Sequence, residues 1–146
     1  RFAAAAKKGV DGVILPELPL EETGRFRHLF VQNGLSEILL VTPTTSPSRI
    51  EAIDDVCNGF LYCVSTTGVT GAKVMRPAEE YIRRVKQHAR KNPVLVGFGI
   101  STPADASAYA KEADGVIIGS ALIRQIGNGY TPGKLKNWLK EFRAQL

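Results

Sequence analysis

Five short apolar runs punctuate the chain: Val13-Ile14-Leu15, Ile38-Leu39-Leu40-Val41, Phe60-Leu61-Tyr62-Cys63-Val64, Val94-Leu95-Val96 and Val116-Ile117-Ile118. Each is bounded by Gly, Pro, Ser, Asp or Thr, apart from Glu37 before the second. Short runs that are continuously apolar predict strands buried on both faces, as in a parallel sheet. Between them the apolar positions change to helical spacing. Residues 20–33 carry Glu21 and Glu22 at the start and Gly34 past the end, the polarity a helix dipole favours. Residues 46–56, 102–111 and 131–146 each open with Ser or Thr followed by Pro, a cap and a first-turn residue. Residues 77–91 place Tyr81, Ile82, Val85 and Ala89 on one side. In the last segment Leu135, Trp138, Leu139 and Phe142 recur at helical spacing, so Trp138 is expected to pack into the core.

Strand and helix alternate, which predicts a βα repeat with a parallel sheet. An open doubly wound sheet usually carries a G-x-G-x-x-G turn after its first strand, and none is present. Gly, Ser and Thr are instead concentrated after the last three strands, where a barrel places its functional loops. The expected fold is therefore an α/β (β/α)8 TIM barrel, of which residues 1–146 supply roughly the last five βα units as a single domain. Residues 1–8 would end the helix before the first of these strands. About three N-terminal βα units are expected upstream of Arg1, which is not a starting Met.

Composition changes this picture little. Hydrophobic residues make up 44% and charged residues 23%, ordinary for a globular domain. The net charge of +5 comes from Lys and Arg interleaved with Asp and Glu on the helical segments. The densest cluster, Arg83-Arg84, Lys86 and Arg90-Lys91, lacks aromatic interleaving and reads as a solvated helix face, so no nucleic-acid partner is expected. No apolar run is long enough for a membrane span and no signal-peptide pattern is visible, so a cytoplasmic protein is expected. Cys57 and Cys63 do not form a C-x-x-C pair, and His28 and His88 are the sole histidines. No metal site is expected, and both cysteines read as small buried residues.

Three loops point to one ligand type. They are Ser65-Thr66-Thr67-Gly68-Val69-Thr70-Gly71-Ala72, Gly97-Phe98-Gly99-Ile100-Ser101 and Gly119-Ser120-Ala121. Glycine lets the backbone approach a phosphate, and successive N–H groups at a helix N-terminus point at the anion. Ser120 adds a hydroxyl. In barrels the loops after strands seven and eight frequently form such a site.

These segments resemble one family. Tyr62 through Gly71 is similar to the Y-x-x-S-x-x-G-V-T-G segment of tryptophan synthase alpha subunits, Gly97 to Ser101 to their G-F-G-I-S, and Gly119-Ser120-Ala121 to their strand-eight G-S-A. Pro16-Glu17-Leu18-Pro19-Leu20-Glu21-Glu22 is similar to their strand-four P-D-L-P-x-E-E, with Glu17 in place of the usual Asp. The four segments keep the family's order over nearly the whole chain.

The resemblance implies a lyase that cleaves indole-3-glycerol phosphate into indole and glyceraldehyde 3-phosphate, for tryptophan biosynthesis. It implies that Gly71, Gly99, Gly119 and Ser120 hold the phosphate and that Phe98 and Leu40 line the indole pocket. Tyr62 would sit beside the glycerol, and Thr70 would bond a catalytic aspartate on loop closure. The family's two acid–base carboxylates belong to the second βα unit and are expected to be absent from this chain, leaving it inactive alone. The partner implied is a beta subunit in an alpha2beta2 assembly. No cofactor is implied on this chain, since pyridoxal phosphate belongs to the beta subunit. Residues 66–76 would form a mobile lid, being long for a βα connection. The residues by themselves leave two alternatives open: another sugar-phosphate barrel such as an isomerase or epimerase, and a phosphate-binding module without chemistry.

Overall fold

The computed structural model describes residues 9–64, 76–97, 99–129 and 131–146. Strands β1 (Gly12–Ile14), β2 (Ser36–Val41), β3 (Leu61–Val64), β4 (Val94–Gly97) and β5 (Gly115–Ile117) form one sheet in the order β1-β2-β3-β4-β5. Every neighbouring pair is parallel. Helices α1 (Leu20–Gln32), α2 (Pro47–Val56), α3 (Arg76–His88) and α4 (Pro103–Ala110) make the crossovers. Two helices, α5 (Ser120–Gly127) and α6 (Pro132–Arg143), follow β5. A parallel sheet whose strand order equals its sequence order is the arrangement a βα barrel requires.

Strand alternation divides the side chains between two surfaces. Leu39, Val41, Leu61, Cys63, Val94 and Val96 face the helices and join Ile50, Ile53, Tyr81, Ile82 and Val85 in the main core. Complete burial of each such aliphatic side chain stabilises the fold by roughly 1.5–3 kcal/mol. Ile38, Leu40, Tyr62 and Leu95 point to the opposite, inner surface, where Leu40 lies opposite Tyr62, Tyr62 opposite Leu95, and Leu95 opposite Gly115. The inner glycines have a packing reason. A Cβ at Gly12 would come 3.0 Å from Ile38 Cδ1, one at Gly115 2.9 Å from Leu95 Cδ2, and one at Gly97 2.1 Å from Tyr62 Oη. Ile38, Tyr62 and Leu95 thus each lean across a glycine on a neighbouring strand.

The caps anticipated from the sequence are formed. Ser46, Thr102 and Thr131 accept hydrogen bonds from the backbone N–H groups of Arg49, Asp105 and Lys134. Trp138 packs against Phe142 with ring centroids 4.6 Å apart and the rings tilted by 59°, in a smaller core with Ile100 and Ala106. In the basic cluster Arg83 pairs with Glu112, Lys86 with Asp114 and Lys91 with Asp55, whereas Arg84 is half-buried and donates to the Pro43 carbonyl. Cys57 and Cys63 are free and buried. Burial, opposed in part by a hydrogen bond involving Tyr81, pushes the Cys63 thiol up to about 12.

Three features differ from the sequence reading or were not foreseen by it. Helix α5 was not anticipated, because its eight residues lack a Ser-Pro or Thr-Pro opening. Strand β2 begins at Ser36, two residues before the apolar run, and thereby buries Glu37. That side chain is 3% exposed, with neither carboxylate oxygen hydrogen-bonded. Asp54 is also buried, but it is satisfied. Its carboxylate accepts from the backbone N–H groups of Arg90, Lys91 and Asn92 and from the Asn92 amide, which ties α2 to the α3–β4 turn.

Candidate phosphate-binding site

The inner surface and the C-terminal strand ends carry the residues singled out from sequence. Leu40 and Tyr62 are brought together as cross-strand neighbours. The Tyr62 ring lies over Gly97, the last residue of β4 and the first of the Gly97–Ser101 loop. Burial raises the Tyr62 hydroxyl above its ordinary value, so it stays protonated through neutral pH. Ile14, partly exposed on β1, lies opposite Ile38 on the same surface. The sequence reading did not name it, because a three-residue apolar run does not show which member faces inward. Thr70, Gly71 and Phe98 lie outside the described residues, as does the segment 65–75 that includes most of the expected lid.

The two remaining loops leave the C-terminal ends of the neighbouring parallel strands β4 and β5. Gly99 is exposed, with φ of 77°, a left-handed conformation that favours glycine. Two residues on, the Ser101 and Thr102 N–H groups donate to the Asp105 carboxylate, which in turn caps α4 with Thr102. Gly119 is the N-cap of α5 and supplies no side-chain cap. The first N–H groups of a helix have no partner within it, and those at the start of α5 lie beside the exposed Ser120. A Cβ at either Gly99 or Gly119 would meet open space. Arg124 on α5 donates to Ser101 Oγ at 3.1 Å, which fastens α5 to the loop after β4. N–H groups at a helix start together with a hydroxyl suit a phosphate.

A wide cleft among the described residues lies elsewhere. About 540 Å³ opens between the loops after β1 and β2, lined by Leu15, Pro16, Leu18, Leu40, Thr45 and Arg49 among others. Arg49 pairs with Glu21 at its edge and holds that carboxyl down at about 2. The cleft's lining mixes these apolar residues with Thr44, Thr45, Ser46 and Arg49. The strand residues facing the inner surface include no carboxylate.

A family model described as tryptophan synthase alpha chain matches residues 1–145. The chain belongs to that family. It is 47% identical over 127 residues to the tryptophan synthase alpha chain of Geobacillus kaustophilus (strain HTA426), covering 86% of this chain and 47% of that one. It is 43% identical over 145 residues to that of Petrotoga mobilis (strain DSM 10674 / SJ95), covering 97% of this chain and 56% of the relative. Among solved structures, the tryptophan synthase a2b2 complex of Pyrococcus furiosus aligns with a TM-score of 0.84 at 36% identity, over 98% of this chain and 60% of its own. Mycobacterium tuberculosis tryptophan synthase aligns with a TM-score of 0.83 at 36% identity, over 99% and 55%. The chain therefore spans about half the length of the curated relatives it matches. Its five βα units are part of a (β/α)8 barrel. No helix among the described residues is long and apolar enough to cross a membrane.

Proposed function

We propose that this chain supplies the phosphate-holding part of a lyase that cleaves indole-3-glycerol phosphate to indole and glyceraldehyde 3-phosphate in tryptophan biosynthesis. The observation that carries the reading is the uncapped α5 N-terminus at Gly119-Ser120, fastened by Arg124 to the Gly97–Ser101 loop. In this reading the backbone N–H groups of Gly71, Gly99, Gly119 and Ser120, with the Ser120 hydroxyl, hold the phosphate. Leu40 and Phe98 contact the indole, Tyr62 sits beside the glycerol, and Thr70 supports a catalytic aspartate. Cleavage requires a proton delivered to the indole ring and another taken from the glycerol hydroxyl, the work of a separated acid and base. The inner-facing strand residues of this chain offer neither, so the two carboxylates would come from the second βα unit and the chain alone would not cleave the substrate.

The solved Pyrococcus furiosus relative is an a2b2 complex. By family, the partner of this chain would be a tryptophan synthase beta subunit, which carries the pyridoxal phosphate, in a cytoplasmic assembly. The test is indole release from indole-3-glycerol phosphate. The purified 146-residue chain should release none above background, and the same chain joined to the N-terminal half of a family relative should release it. Failure of the joined protein to do so, while folded and binding phosphate, would favour another phosphate-binding barrel.

A further inference from the structure

Helix α5 is weakly anchored. Ala121 is its sole buried residue, while Ile123 and Ile126 are 70% and 49% exposed. Its position over the sheet therefore depends on few contacts, and one of them reaches the other loop of the candidate site. Arg124 lies four residues after Ser120, on the same side of the helix and about one turn away. Its guanidinium donates to the Ser101 hydroxyl. Ser101 is held from the opposite side as well, since its N–H donates to Asp105 within the α4 capping arrangement. The loop end is thus clamped between two helices, and Gly99 lies two residues before the clamp in its left-handed conformation.

We propose that Arg124 is a positioning residue: by holding Ser101 it sets the separation between the N–H groups of Gly99 and those of Gly119 and Ser120, so that one phosphate meets both sets. This deepens the phosphate-site reading above and rests on it. Arg124 acts here through Ser101, not as a direct phosphate ligand. Without the tie, α5 and the loop after β4 are separate anion binders, each too weak to hold a phosphate well. Lysine at position 124 keeps a donor but has no planar fork, so it restores the tie in part.

The test is a ¹⁵N NMR titration of the 146-residue chain with glycerol 3-phosphate, following the Gly99, Gly119 and Ser120 amides. In the parent chain all three shift along one binding curve. Arg124→Ala and Ser101→Ala should each weaken affinity by about tenfold, the loss expected for a hydrogen bond from a charged donor. The double variant should be no weaker than either single one. In each, Gly119 and Ser120 should still move while Gly99 falls silent, and Arg124→Lys should lie between Arg124→Ala and the parent. If Arg124→Ala weakens binding but Ser101→Ala does not, Arg124 acts on the ligand directly and the inference is overturned. It is overturned equally if all three amides keep one curve in every variant. Absence of any saturable shift in the parent chain removes the phosphate-site reading itself, a separate outcome.

Discussion

The contact between Tyr62 and Gly97 makes a quantitative prediction. In Gly97→Ala the new Cβ would stand 2.1 Å from Tyr62 Oη, 2.4 Å from Cζ and 2.6 Å from Cε1. Comfortable carbon contacts lie at about 3.5–4 Å, so the rigid ring must retreat by roughly 1 Å or more. It cannot slide freely, because Phe60 sits on the same surface with its ring centroid 6.4 Å away. Overpacking of this kind costs about 1–3 kcal/mol. An opposing effect comes from the unfolded chain, since replacing glycine where the backbone permits alanine gains about 0.4–1 kcal/mol. Gly97 is not among the described glycines with positive φ, so that gain applies. The clash wins, and Gly97→Ala should destabilise by about 0.5–2 kcal/mol. In a Tyr62→Ala background the clash is gone and the same change should be neutral or slightly stabilising. Urea unfolding of the four proteins measures this, with a coupling of about 1–3 kcal/mol expected between the two positions. An equal penalty for Gly97→Ala in both backgrounds would refute the packing argument. The displaced ring should also disturb the inner surface beside Leu40, so the joined protein described above should lose activity on the same substitution.

Two buried carboxylates predict opposite pH behaviour. Burial raises Glu37, with Arg27 opposing; its contribution to stability is complete below the ordinary carboxylate value and is lost as pH rises through the folded value. Glu37→Gln should therefore gain in melting temperature relative to the parent between pH 4 and pH 8, and a constant difference would contradict this. For Asp54, burial pushes the carboxyl up, but the Asn92 amide and the N–H groups of Arg90, Lys91 and Asn92 outweigh it and leave it lowered. Its contribution is complete above the ordinary value and lost as pH falls through the folded one. Asp54→Ala should cost about 3 kcal/mol at pH 7 by stranding those donors, with the deficit shrinking in acid melts. Strands β1 and β5 end the described sheet, and open strand edges associate. The chain should form dimers or larger species in sedimentation velocity; a concentration-independent monomer would contradict that.

Much of the architecture was legible because each layer leaves a local sign. Continuous apolar runs mark the strands, and Ser-Pro or Thr-Pro marks three helix starts. Helix α5 left no such sign: it is short and largely exposed, and it opens with Gly119-Ser120 instead of Ser-Pro or Thr-Pro. The Asp54–Asn92 tie joins residues 38 positions apart, and the burial of Glu37 depends on where β2 begins. Neither is a local property. For the candidate site, the glycines of the strand-end loops were visible as a pattern. That Tyr62 covers Gly97, and that Arg124 reaches Ser101, follow from strand register and helix placement, which sequence spacing does not determine.

The phosphate site proposed at the loops after β4 and β5 rests on the start of α5. Gly119→Val tests it most directly, because a Cβ at Gly119 meets open space. Calorimetric titration with glycerol 3-phosphate should give saturable heat for the parent chain. It should give none for Gly119→Val, whose side chain stands over the N–H groups at the start of α5, while its circular dichroism stays that of the parent. Equal binding by parent and variant would contradict the account.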